Sequence, residues 1–112
     1  MRCTQTNILL LTIAILAVSS CTATPRTPQE QAYIARSAYV SVLTTAVDLR
    51  AAGKINDSTY LELERIRSIA EDALNFMDLA LDTNDTDEFN HQLHLFNSAL
   101  ASILGITKEA SQ

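Results

Sequence analysis

From Thr27 onward, apolar residues recur at intervals of three and four in three successive runs, with turn-forming residues between the runs. That period is helical, and each run is long enough for several turns. The first run is Ala32, Ala35, Tyr39, Val42, Ala46 and Leu49. Its start is marked by Thr27-Pro28-Gln29-Glu30: a capping Thr, a Pro at the first helical position and a Glu placed to complete a capping box. Gly53 suits its C-terminal cap, because glycine takes positive φ at little cost. The alanines on this stripe let a neighbouring helix approach closely.

After the turn at residues 54–58, Asn56 or Asp57 can cap a second helix reaching about Leu81. Its stripe is Leu63, Ile66, Ala70, Ala73, Met77 and Ala80, widened by Ile69, Leu74 and Phe76. Glu62 with Arg65, Glu64 with Arg67, and Arg67 with Glu71 are spaced to pair on its wet face. Residues 82–86 (DTNDT) break the pattern, and Asp85 with Glu88 offers a further capping box. The third run is Phe89, Leu93, Phe96, Leu100 and Ile103. It predicts a helix over residues 86–104, ended by Gly105 with Ile106 folding back on the last turn. Three amphipathic helices on short loops predict an all-α fold. The expected form is an antiparallel up-down-up three-helix bundle over residues 28–106, with residues 107–112 as a frayed tail.

The N-terminus has a different character. Arg2 supplies one positive charge, residues 8–18 (ILLLTIAILAV) form an apolar run of 11, and Ser19-Ser20 are small. A basic start, a short apolar core and small residues are the layout of an export signal. Spanning a bilayer takes about 20 apolar residues, so this run is too short for a transmembrane helix.

Val18-Ser19-Ser20-Cys21 resembles the bacterial lipobox: an aliphatic residue, two small residues, then Cys. The resemblance covers the first 21 of 112 residues. It implies that residues 1–20 are a signal peptide cut between Ser20 and Cys21. It also implies that Cys21 carries a covalent diacylglycerol, with a palmitate-type acyl chain often added to its new amino group. Residues 21–27 would then be the lipidated Cys and a short tether, reaching about 20 Å at full extension. Thr22 stands where an Asp would resemble an inner-membrane retention signal. The resemblance therefore implies a lipid-anchored place in the cell envelope. In a host with two membranes, the outer membrane facing the periplasm is favoured over the inner one. Cys3 would be lost with the signal, and the lipid would occupy the remaining cysteine, so no intramolecular disulfide is expected.

Setting Arg2 aside leaves seven of the eight Lys and Arg against 13 Asp and Glu, a net charge of −6. Such a surface does not attract nucleic acid or anionic headgroups, so none is expected as a partner. Between Ser68 and Thr107 there are seven acidic residues and no Lys or Arg. This stretch is either a docking face for a basic partner or a solubilising face.

His91 and His94, with Asp87 one turn before His91, project together on the third helix, opposite its apolar stripe. Two histidines and a carboxylate at this spacing can hold a divalent transition metal. No fourth ligand is visible, and the plainer reading is a solvated polar face. An EF-hand loop starting at Asp82 would need Gly at its sixth position and Glu at its twelfth, which hold Asp87 and Leu93. Tyr39 lies on the packing stripe, whereas Tyr33 and Tyr60 are surface candidates. No nucleophile elbow, zinc-protease motif, phosphate-binding loop or dinucleotide turn occurs.

The resulting expectation is a non-catalytic lipoprotein without a cofactor. It is held at the membrane by its lipid, and its bundle binds an envelope protein or has a structural role. In helix layout and size, the part beyond Cys21 also resembles small helical lipoproteins of phages and prophages. That resemblance implies an exclusion or lysis-associated role as an alternative. A third reading is a metal-binding lipoprotein that uses His91 and His94.

Overall fold

The computed structural model describes residues 26–112. The expected signal peptide, the expected Ser20–Cys21 cleavage site, the Cys21 expected to carry lipid and most of the expected tether lie outside the described residues. Three helices form: α1 (Pro28–Ala51), α2 (Asp57–Asp82) and α3 (Thr86–Ala110). They make the expected antiparallel three-helix bundle. Among the described residues there is no strand, and no helix is long and apolar enough to cross a membrane.

The local signals act as their chemistry dictates. Thr27 and Glu30 form a reciprocal capping box: the Glu30 N–H donates to Thr27 Oγ1 at 3.1 Å and the Thr27 N–H donates to Glu30 Oε1 at 2.9 Å. The donated Thr27 N–H holds the Glu30 carboxyl below its ordinary pKa. Of the two candidate caps for α2, Asn56 is the one used, accepting from the Thr59 N–H at 2.8 Å. At α3, Asp85 accepts from the Glu88 N–H at 3.0 Å. The box there is only half made, because the Glu88 carboxylate instead accepts from the Gln92 side-chain amide at 3.1 Å.

Both inter-helix turns are Schellman motifs. Gly53 lies at φ 75°, with Lys54 N–H donating to Leu49 O and Gly53 N–H to Arg50 O. Asn84 does the same work at φ 55°, with Asp85 N–H donating to Ala80 O and Asn84 N–H to Leu81 O. Asn is among the few residues other than Gly that enter this region readily.

The core is built unequally. α2 and α3 pack most extensively against each other, and α1 lies against this pair with its tightest contacts on α3. Ala70, Ala73 and Ala80 on α2 and Ala99 on α3 are buried, which lets the two backbones come close. Between them the largest fully buried side chains are Met77, Phe89, Phe96 and Ile103. The α1 stripe is split. Ala32, Ala35 and Tyr39 are buried, while Val42, Ala46 and Leu49 are only partly covered. Ile55 in the α1–α2 turn closes the core at that end, at 3% exposure.

Two expectations need correction. α3 does not end at Gly105: it continues to Ala110, Thr107 is buried, and Ile106 and Ala110 pack partly against the core. The expected frayed tail of residues 107–112 is thus helical for most of its length. Three further inward contacts outweigh the cost of a glycine in mid-helix, which is about 1 kcal/mol. Second, Ile69 and Phe76 do not widen the α2 core stripe. They are 44% and 51% exposed, because α1 and α3 cover a narrower arc of α2 than the apolar residues span.

Gly105 also gives a clean stability test. A Cβ placed there meets nothing within 4 Å, and its backbone is helical. Gly105→Ala is expected to stabilise the fold by about 0.5–1 kcal/mol, raising Tm by several degrees. An unchanged or lowered Tm in a thermal melt would mean that α3 does not continue past this position.

Candidate functional site

The chain order sets two poles. The start of α1 meets the α2–α3 turn, where Pro28 and Gln29 lie beside Leu81, Asn84 and Phe89. The α1–α2 turn meets the end of α3, where Lys54 and Asn56 lie beside Ile106 and Glu109. The first pole is the one from which the chain runs back toward residue 21.

Along the bundle, α1 is fastened to α2 by polar contacts. The Arg36 guanidinium pairs with Asp78 and also donates to Leu74 O. Tyr39 packs its ring edge-to-face on Phe96, with centroids 6.0 Å apart, and its hydroxyl donates to Glu71 at 2.7 Å. Arg67 then bridges Glu71 and Glu64. The three ion pairs expected from spacing, Glu62–Arg65, Glu64–Arg67 and Glu71–Arg67, all form. The Tyr39 hydrogen bond, and after it Arg67, hold the Glu71 carboxyl below its ordinary pKa. Glu71 is therefore an ionised acceptor, and Tyr39 is a neutral donor.

Burial first, and the Glu71 contacts second, raise the Tyr39 phenol above its ordinary 10.0. The sign follows from linkage. A group whose folded-state pKa is raised contributes fully below the unfolded value, and that contribution is lost as pH rises through the folded value. Stability is therefore expected to fall above about pH 10, the unfolded tyrosine value. Tyr39→Phe should flatten that fall. Thermal melts from pH 8 to 12 check it, and parallel curves for the two proteins would remove Tyr39 as the cause.

The acidic stretch is less free than its sequence suggests. Of its seven carboxylates, Glu71 and Asp78 are paired with Arg67 and Arg36, and Asp85 and Glu88 hold α3 hydrogen bonds. Asp72, Asp82 and Asp87 are exposed and make no ion pair among the described residues. His91 and His94 are exposed on α3. Among the described residues, no three His, Cys, Asp or Glu side chains gather as a group that could hold a metal, so Asp87, His91 and His94 are not brought together as a ligand set.

The surface carries large apolar side chains that no packing explains. On α1, Tyr33, Val40 and Val47 are 74%, 62% and 65% exposed. They lie seven residues apart, with exposed Ser37 and Thr44 between them and no charge on that line. The Thr44 hydroxyl donates to Val40 O at 2.9 Å, so it can be covered without losing its partner. On α2, Leu61, Ile69, Phe76 and Leu79 are exposed, as is Leu95 on α3. Tyr60 is partly covered by the Arg50 guanidinium, which lies 4.6 Å from its ring centre. The sequence singled out Tyr33 and Tyr60 for the surface. It missed Val40 and Val47, whose only signal is the seven-residue spacing from Tyr33 on the flank of the apolar stripe.

Searches against family models, curated proteins and solved structures find no match to this chain.

Proposed function

We propose that the chain is a membrane-tethered lipoprotein whose helical bundle is a non-catalytic module that binds another protein of the cell envelope. The lipobox-like Val18-Ser19-Ser20-Cys21 supports the tether. One observation carries the binding role: the uncharged line of Tyr33, Val40 and Val47 on α1, left exposed by the bundle's own packing. Apolar side chains at i, i+7 and i+14 form a continuous strip along a helix, the arrangement by which one helix packs on another. On a domain with a net charge of −6, covering this uncharged strip takes its apolar side chains out of water.

A tether of residues 21–27 reaches only about 20 Å, so the partner is a component of the same membrane or lies at its surface. The outer membrane facing the periplasm is the proposed place in a host with two membranes.

The test is crosslinking and recovery from intact envelopes, comparing the native chain with Val40→Asp/Val47→Asp and with Cys21→Ser. Both valines are exposed, so the double variant keeps the fold. A specific partner should be recovered with the native chain and lost with the double variant. Recovery of no specific partner, or undiminished recovery with the double variant, would refute the reading.

A further inference from the structure

The α1–α2 groove is polar-edged in one half of the bundle and apolar in the other. Toward the first pole the Tyr39 ring is buried, and the groove beside it is edged by Arg36, Glu71 and Asn75. Two turns further along α1, the inward position is Ala46, and no large side chain replaces the ring. The result is an apolar pocket of about 310 Å³ between α1 and α2. Leu63 and Ile103 form its buried floor, and Leu43, Ala46 and Val47 form its α1 wall. Sites for small ligands begin at about this size and combine apolar walls with a few fixed polar groups.

The polar groups are at the rim. Arg50, Tyr60, Glu64 and Arg67 all line the pocket and remain partly exposed. Arg67 is held by two carboxylates, Glu64 and Glu71, so its charge is already taken and it does not offer a ligand a free cation. Arg50 is held differently. One arm donates to Ile55 O at 2.9 Å and its plane lies on Tyr60, which fixes the guanidinium in place. Its other arm pairs at 2.7 Å with Asp57, whose side chain is 93% exposed. Ion pairs so exposed are weak, and an incoming carboxylate can take the place of Asp57. The planar guanidinium fork matches a carboxylate well.

We infer that this pocket binds a medium-chain aliphatic carboxylate, with the chain on Leu63 and Ile103 and the carboxylate on Arg50. A pocket of this size, open along the groove, takes a medium-length aliphatic chain, on the order of ten carbons. The pocket shares Val47 with the proposed partner strip, but the inference does not rest on the protein-binding role, because ligand binding is read at the buried Leu63 and Ile103.

The probe is decanoate, titrated into the full chain carrying Cys21→Ser, with the methyl signals of Leu63 and Ile103 followed by NMR. Saturable shifts at both residues are expected. Ala46→Leu fills the pocket and should abolish them while leaving the helical circular dichroism unchanged. Arg50→Gln should weaken decanoate about tenfold, the scale of a charge-assisted contact, and leave decanol unaffected. No saturable shift at Leu63 and Ile103, or the same response in folded Ala46→Leu, would overturn the site. Decanol or decyltrimethylammonium binding as tightly as decanoate would overturn the carboxylate assignment.

Discussion

Phe96→Ala is expected to lower the unfolding free energy by about 3–5 kcal/mol, the usual cost of removing a buried aromatic ring. The reason lies in where the ring sits. Phe96 is fully buried, its ring packs edge-to-face with Tyr39 with centroids 6.0 Å apart, and Ile34, Ala35 and Ala38 of α1 lie in the groove beside it. It is thus the place where the loosely packed α1 is held to the α2–α3 pair. Small domains have a total stability of about 5–15 kcal/mol, so this one change uses a large part of it. The loss of the Tyr39 packing partner adds to the cavity, because Tyr39 is anchored through its hydroxyl to Glu71 and cannot follow the missing ring. Phe76→Ala is the control: that ring is 51% exposed and its loss should cost under about 1 kcal/mol. Urea unfolding followed by circular dichroism separates the two. A Phe96→Ala cost close to that of Phe76→Ala would show that α1 does not close over Phe96.

The contrast between these two phenylalanines shows what sequence could and could not settle. Both lie on apolar runs of helical period, and spacing alone placed both in the core. Whether a flank position is covered depends on how the neighbouring helices sit, and that is a property of the packed bundle. The helix starts were legible because capping is local: Thr27, Asn56 and Asp85 each act on an N–H three residues away. The end of α3 was misread for the opposite reason. Gly105 is a local stop signal, but burial of Thr107 and the contacts of Ile106 and Ala110 are tertiary and override it. Asn84 was hidden within an acidic turn whose residues all favour loops. The candidate pocket could not be seen in the sequence at all. It exists because Ala46, Leu63 and Ile103 come together from three helices, and a small residue on a helical stripe looks the same whether its opposite side is filled or empty. The Arg36–Asp78 pair and the Tyr39–Glu71 hydrogen bond are likewise contacts across more than 30 residues of chain.

The largest effect expected on the proposed role is from Cys21→Ser. Each methylene taken into a bilayer contributes about 0.8 kcal/mol, and two or more chains give stable attachment where a single one does not. A diacylated or triacylated Cys21 would therefore keep essentially all of the protein in the membrane pellet. Serine has the size of the cysteine but lacks the thiol that forms the thioether to diacylglycerol, so the variant should lose the lipid without any change in the bundle. Nothing else in the described chain compensates. No helix among the described residues is long and apolar enough to cross a membrane, and a net charge of −6 from Arg26 onward repels anionic headgroups. Asp82, Asp85 and Asp87 also lie in or beside the α2–α3 turn, at the pole where α1 begins, so a lipid-anchored chain would hold them against such headgroups. Native protein is expected in the pellet and labelled by radioactive palmitate. The Cys21→Ser protein should carry no label, and whatever portion a general signal peptidase releases after Ser20 should appear in the soluble envelope fraction with the same helical circular dichroism. Raising the salt concentration should leave the native protein in place, which separates a lipid anchor from an electrostatic one. If native and Cys21→Ser proteins partition alike and neither takes up palmitate, the lipoprotein reading fails, and with it the restriction of partners to the anchoring membrane.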